Sequence, residues 1–523
     1  MLSAAAAKFL GAFFKIPLTN ILGGVGMSYF SSAYSLFMPV YALTVTGLTS
    51  AVAHMTARSI SQGRYCEMRK IRRTALLVFS GVGLAGSLLV FLLAKPFSIL
   101  SADGAEASAA VAMIAPAVFF GCITAVERGY YEGMSNMYPT AVSQVIEGAV
   151  KVFAGLKLCR MVSENPSLIL RYFPDITDVR AASAAAGILG VTLSTAGAWL
   201  FLAVMGLFVK TPENRLNTTA MSRRDIVKEL FAAALPIGIG AVVTNLTAII
   251  DMWTVIGCLS DKNMAELPSG TTAEDMPYFV YGSFAGIALT VFNLVPSVTN
   301  MLGKGALTCI TEAYERRDNV QLKNSTVQAL VFSAAIAIPS AFGLGVLAEE
   351  VLNFLYPMQC DEVQICIEPL KYLMFGMVCL CMSYPLFSML QAVGKPSAPL
   401  KIMLIGTAVK LIGNVLLIPK ISVNGAAVST SVCYAVILVL SLSAYLRTVK
   451  IKLSVQPFVK TVFSGVMCGA SAYLAAEISR SLGLSSFSTI LISAAVGGTV
   501  YIAMLYLLMG VHGAKNKACT KAG

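Results

Sequence analysis

Stretches free of formal charge, each long enough to cross a bilayer, recur from one end of this chain to the other. No other feature restricts the fold as much. A hydrocarbon core about 30 Å thick takes roughly 20 apolar residues as a helix, and backbone polar groups within it find partners only in helices or closed barrels. Residues 16–57 carry no charge at all, about two crossings' worth, and Gly23-Gly24-Val25-Gly26 supplies the break. Further windows cover residues 74–94, 107–126, 181–209, 230–250, 276–303 and 324–348, then 372–394, 421–446, 461–476 and 481–511. Two more spans carry ions: 138–160, with Glu147 and Lys151, and 400–418, with Lys410. All are too long for the roughly 10-residue alternating strands of a membrane barrel. The sequence therefore predicts an all-α polytopic membrane protein with about 14 transmembrane helices. Only 12% of its 523 residues are charged, half the ~25% of soluble domains.

Fourteen spans place both termini on one side. With that side inside, inner segments hold 26 Lys and Arg and outer loops nine, while acidic residues divide nine inside and fifteen outside. Basic residues stay on the cytoplasmic side of membrane proteins, so both termini are expected in the cytoplasm. The net charge of +12 is then topology, not a sign of nucleic-acid binding. Met1–Leu22 reads as the first membrane helix rather than a cleavable signal, because Lys8 and Lys15 interrupt its apolar run. Twelve cysteines show neither CxxC nor metal spacing, and two histidines, His54 and His512, support no metal centre.

An internal repeat organises the chain. Glu132-Gly-Met-Ser-Asn-Met-Tyr-Pro139 leads on to Ala149-Val150-Lys151, and Gln391-Ala-Val-Gly-Lys-Pro396 leads on to Ala408-Val409-Lys410. The offset is 259 residues and pairs spans 1–6 with spans 7–12. An even shift keeps both repeats in one orientation, a transporter architecture with the substrate site at the repeat interface. The expected divisions are an N-terminal lobe over 1–209, a cytoplasmic linker over 210–228, a C-terminal lobe over 229–447, and two further helices with a cytoplasmic tail over 448–523.

Ions inside spans are expensive and tend to face a bundle interior or a wet cavity. Lys15, Lys151 and Lys410 are such cations, and they point to an anionic guest, because an ammonium offers three donors to phosphate. Glu147 and Lys151 stand at i, i+4, so mutual neutralisation is an equal reading. Asp251 closes the apolar run of span 7 and, with Glu147 and Lys151, is a candidate for coupling an ion or tuning charge. His54 and Arg58 lie one turn apart at the inner end of span 2, either as part of a cationic mouth or as a bundle hydrogen bond and a topology anchor. Lys304 has the same ambiguity on span 8. The substrate-binding candidates are thus Lys15, His54, Arg58, Lys304 and Lys410. The basic inner segments 64–73 and 215–228 read as topology determinants near anionic lipid. No P-loop, G-x-S-x-G or H-E-x-x-H occurs, no outer loop is long enough for a catalytic domain, and neither a catalytic residue nor a cofactor is expected.

The residues also resemble a known family. Lys8-Phe-Leu-Gly-Ala-Phe-Phe-Lys15-Ile-Pro looks like the opening of the polysaccharide-export branch of the multidrug/oligosaccharidyl-lipid/polysaccharide (MOP) exporter superfamily, the MATE-like group. Arg128-Gly-Tyr-Tyr-Glu-Gly-Met-Ser-Asn-Met-Tyr-Pro and its continuation to Glu147 are similar to the stage V sporulation protein B group, and Tyr281-Gly-Ser-Phe-Ala-Gly, Leu390–Pro396 and Gly425-Ala-Ala-Val-Ser-Thr fit the same pattern. Gly47-Leu-Thr49-Ser-Ala-Val-Ala-His54 departs from it, standing where relatives read Gly-x-Pro-x-Ala-x-Ser-Lys. Thr308 likewise stands in place of a proline.

The resemblance implies two six-helix lobes around a cavity, helices 13 and 14 flanking a lipid-accessible groove, and alternating access. It also implies a flippase for an undecaprenyl-linked saccharide or peptidoglycan precursor in the bacterial cytoplasmic membrane, monomeric, with Na or H as possible coupling ion. The rival readings are a cation-coupled multidrug exporter of the same superfamily and a non-transporting scaffold for wall synthesis. The excess of intramembrane lysines over acids favours an anionic substrate.

Overall fold

The computed structural model describes residues 2–102, 105–173, 176–208, 221–260, 272, 274–316, 318–395, 397–451 and 455–519, with side chains left out at 2–9, 12, 102, 236, 244, 301–309 and 509–519. None of the described residues lies in a strand, as the span pattern requires. The chain divides into two compact units, residues 1–286 and 287–523.

The first unit runs α1 (Leu2–Tyr41), a π-helix (Ala42–Thr46), α2 (Gly47–Ser61), α3 (Tyr65–Ala102), α4 (Ser108–Ile114), α5 (Pro116–Gly133) and α6 (Tyr138–Glu164). It continues with α7 (Ser167–Leu170), α8 (Val179–Phe208), α9 (Arg223–Ser260), α10 (Met276–Ser283) and the start of a second π-helix (Phe284–Ala288). The second unit holds α11 (Leu289–Phe292), α12 (Leu294–Glu315), α13 (Asn319–Val346), α14 (Ala348–Leu355), α15 (Cys360–Ala392), α16 (Ala398–Ile421), α17 (Val423–Val449), α18 (Gln456–Ser481) and α19 (Ser486–Cys519).

Among the described residues eleven helices are long and apolar enough to cross a membrane, or twelve if the bent pair Met276–Phe292 and Leu294–Asn300 forms one span. The expected fourteen is close to this number but above it, for two physical reasons. Residues 13–61 run as one helical stretch, broken inside α1 where Gly23 takes φ 65° and ψ −174°. That conformation is open in practice only to glycine. The other expected span, α6, is a 27-residue helix whose ions dilute its apolar character.

Without a hydrophobic drive in lipid, helix pairs need small residues for close approach. The extensive α6–α8 contact follows this rule: a Cβ on Gly190 would collide with the Gly155 backbone. Near one end of the first unit, Leu48, Val52, Met68, Ile71, Tyr130 and Leu230 belong to one buried cluster that joins α2, α3, α5 and α9. In the second unit α18 and α19 pair and rest on α13 and α14. Tyr501 donates to the Ala335 carbonyl at 2.9 Å, Lys460 donates to that of Leu508 at 2.7 Å, and the Arg480 Nε donates to Glu350 at 2.6 Å.

The repeat is written into the backbone. In the α5–α6 turn, Met134, Ser135 and Asn136 donate to the carbonyls of Tyr130, Glu132 and Tyr131; in the α15–α16 turn, Val393, Gly394 and Lys395 donate to those of Met389, Gln391 and Leu390. Every donor and acceptor is displaced by the same 259 positions. Ser135 and Gly394 both take positive φ, 59° and 78°, and each following helix carries proline in its first turn.

A polar patch inside the first unit

Helix α1 supplies the first wall of the patch. Phe30, Tyr34, Phe37 and Tyr41 recur at spacings of four and three, so they share one helix face, and successive ring centroids lie 4.9, 6.0 and 5.0 Å apart. Tyr34 is within electrostatic reach of Lys151 and Glu147, and Tyr41 of Glu147 and Arg128. This aromatic ladder carries two phenols to the ions of α5 and α6. The sequence reading missed it, although its spacing was visible.

The α5–α6 hairpin supplies the second wall. Across its turn Arg128 reaches Glu147 at 2.8 Å and donates through Nε to Ser143 at 2.9 Å; Ser143 in turn donates to the Thr140 carbonyl. Glu147 is thus ion-paired to a residue on the neighbouring helix. Lys151, half-buried one turn further on, shares the field of Tyr34 and Glu147.

Lys15 lies half-buried on α1, and its Nζ donates to the Ala285 carbonyl at 2.7 Å. Ala285 sits in the second π-helix, a form that departs from the regular ladder and gathers at functional positions. Gly282, just before that turn, packs against the Gly24 carbonyl beside the α1 break. Asp251 on α9 is 2% exposed and acts electrostatically on Tyr281, which is hydrogen-bonded with Ser35 of α1. Helix α1 therefore touches the surroundings of four candidates: Lys15, Glu147, Lys151 and Asp251.

The remaining candidates lie elsewhere. His54 is exposed on α2. Arg58 is paired with Glu229 of α9 at 2.9 Å, both partly open to solvent. Lys410 is 4% exposed on α16 of the second unit, one turn before Asn414, which accepts from Ser429 of α17. Lys304 falls on α12, but its side chain lies outside the described residues. So do the side chains of Lys8 and His512, and residues 210–220 of the expected linker.

Ion pairs tie the two ends of the first unit. At one end Arg72 meets Glu127 at 2.7 Å, with its guanidinium 4.8 Å from the centre of the Tyr130 ring. At the other Arg180 bridges Asp178 at 2.9 Å and Asp275 at 3.0 Å, and Glu106 accepts from the backbone and hydroxyl of Thr177. Among the described residues no group of three His, Cys, Asp or Glu side chains converges for a metal. Chemically the patch brings ammonium-bearing, guanidinium, carboxyl and phenol side chains close together in an apolar setting.

Residues 69–493 match the family model described as lipid II flippase MurJ. The lipid II flippase MurJ of Bacillus subtilis (strain 168) is 24% identical, over 96% of this chain and 93% of its own length. Stage V sporulation protein B of the same organism is 21% identical, over 96% and 92%. Among solved structures, a lipid II flippase MurJ in an inward closed conformation superposes with a TM-score of 0.67 at 14% identity, covering 97% of each chain. An inward-facing multidrug resistance MATE transporter of the MOP superfamily also reaches 0.67 at 14% identity, over 85% of this chain and 94% of its own.

Proposed function

The chain belongs to the lipid II flippase MurJ family, and from that membership we propose that it moves an undecaprenyl-linked peptidoglycan or surface-saccharide precursor across the bacterial cytoplasmic membrane by alternating access. The observation that carries this reading is the family match over residues 69–493. The likeness to a MATE transporter, at 14% identity, speaks for the fold alone.

The residues supply the chemistry. A pyrophosphate-linked lipid must bring its anionic bridge through a region where charge is costly. Lys15 and Lys410 place amine side chains within the long apolar helices α1 and α16, and charge-assisted hydrogen bonds to phosphate oxygens are about twice as strong as neutral ones. In this reading Lys15 exchanges its bond to the Ala285 carbonyl for the phosphate, so substrate binding is coupled to the π-helix. Arg128, Glu147, Lys151 and the Tyr34 and Tyr41 phenols hold the surrounding charge balance, and Asp251 takes up the coupling ion, Na or H. The two lobes are the paired spans 1–6 and 7–12, α18 and α19 guide the polyprenyl tail, both termini lie in the cytoplasm, and the protein acts as a monomer.

Leaflet-resolved movement of a lipid-linked saccharide in proteoliposomes tests the proposal. Lys15→Gln with Lys410→Gln should abolish movement while leaving the protein monodisperse and its melting temperature near that of the parent. Unchanged movement in that double variant would remove both lysines from the substrate path. No movement by the parent protein would overturn the flippase reading itself.

A further inference from the structure

A groove of about 820 Å³ between the start of α3 and the start of α9 lies apart from the polar patch. Five cations line it: Arg69, Lys70 and Arg73 from α3, Arg223 and Arg224 from α9; no carboxylate appears among the described residues that line it. Glu67, the nearest acid along α3, is taken up by Ser59 at 3.1 Å and Arg64 at 3.0 Å. The walls are held together before any ligand arrives. Lys70 donates to the Met221 carbonyl at 2.5 Å, and the Met221 amide donates to Glu67 at 3.4 Å.

Polarity changes along the groove. Its α3 residues recur at steps of three and one, so they share one face, and that face passes from Arg69 and Arg73 to Leu77 and Val78. On α9, Arg223 and Arg224 give way to Val227. Leu77 is 74% exposed and begins a stripe that continues through Leu84 and Leu88, 62% and 55% exposed, on a helix apolar enough to span a membrane. A free anion needs the cations alone. A cationic end opening into a lipid-facing apolar stripe fits a molecule with a phosphate at one end and an acyl chain at the other.

We propose that this groove binds one anionic glycerophospholipid, its phosphate among Arg69, Arg73, Arg223 and Arg224 and an acyl chain along Leu77 and Val227. Bound there, the lipid offsets the mutual repulsion of five cations and fastens the first turn of α9 to α3. The proposal is independent of the transported substrate, because none of these residues belongs to the intramembrane patch.

Native mass spectrometry of the purified, delipidated full chain, titrated with phosphatidylglycerol or phosphatidylcholine, tests it. Phosphatidylglycerol should bind more tightly, with each of Arg73→Gln and Arg223→Gln weakening it about fivefold. Arg160→Gln, at the far end of α6, should leave it unchanged. Val227→Trp keeps every charge but fills the apolar end, so it should also weaken binding; it decides the matter if the arginine variants do not elute as monodisperse protein. Millimolar inorganic phosphate should not displace the lipid. Equal binding of phosphatidylcholine, an equal loss in Arg160→Gln or full binding by Val227→Trp would overturn the proposal. Displacement by inorganic phosphate would make the ligand a soluble anion, and displacement by a polyprenyl pyrophosphate at far lower concentration would make it the transported lipid; either result overturns the assignment.

Discussion

Arg128 and Glu147 illustrate how a side chain's meaning changes between sequence and structure. Helical spacing places Glu147 beside Lys151, an i, i+4 pair. The hairpin also brings Glu147 against Arg128, 19 positions away, at 2.8 Å, with both side chains largely shielded. Periodicity within one helix cannot report a partner across a turn, so the motif was legible as a resemblance and its chemistry was not. Charge-assisted hydrogen bonds of this kind contribute about 1.5–3 kcal/mol. Arg128→Gln should therefore lower stability by about 2–3 kcal/mol, and Arg128→Gln with Glu147→Gln should recover part of the loss. Thermal unfolding of the four proteins of that double-mutant cycle in detergent checks the coupling, and purely additive effects would exclude it. Lys15 was legible as an intramembrane cation. Its acceptor was not, because no sequence pattern announces a π-helix at residues 284–288.

At the scale of elements, the two helix-turn-helix units related by 259 positions make the clearest internal comparison. Identical turn hydrogen bonds force residue 135 and residue 394 into the left-handed region, yet one is Ser and the other Gly. A side chain there costs about 1–2 kcal/mol relative to glycine. Ser135→Gly should thus be neutral or stabilising by up to about 1 kcal/mol, and Gly394→Ser should destabilise by a similar amount; melting temperatures that shift in the opposite senses would show that the turns are not equivalent.

The same logic applies inside α1. Gly23→Ala enters a region nearly closed to alanine and should cost about 1–3 kcal/mol, whereas Gly11→Ala, with nothing near the added methyl, should be tolerated. The glycine cluster marked this break in the sequence. Gly23 leaves helical φ and ψ there, so the two helices counted from the charge-free windows meet at a kink with no loop between them.

For the molecule as a whole, hydropathy determined the fold class, because lipid leaves the backbone no alternative to helix in segments of this length. The number of crossings was less legible, since a kink or a row of ions changes the count without changing the architecture. Sidedness rests on the separate argument from 26 inner and nine outer cations, and it can be measured at two native cysteines. Cys66 and Cys360 are both exposed, the first at the start of α3 among the basic residues assigned inside, the second at the start of α15 beside Asp361 and Glu362, assigned outside. In variants that retain only one of them, a membrane-impermeant maleimide applied to intact cells should label Cys360, and should reach Cys66 only after permeabilisation. The reverse pattern would invert the whole chain, because an odd change in the crossings between residues 66 and 360 would leave both on one side. Labelling of Cys66 from outside would also move the basic groove of α3 and α9 to the outer leaflet. The leaflet proposed for the anionic-lipid site and the side proposed for both termini therefore share this one measurement.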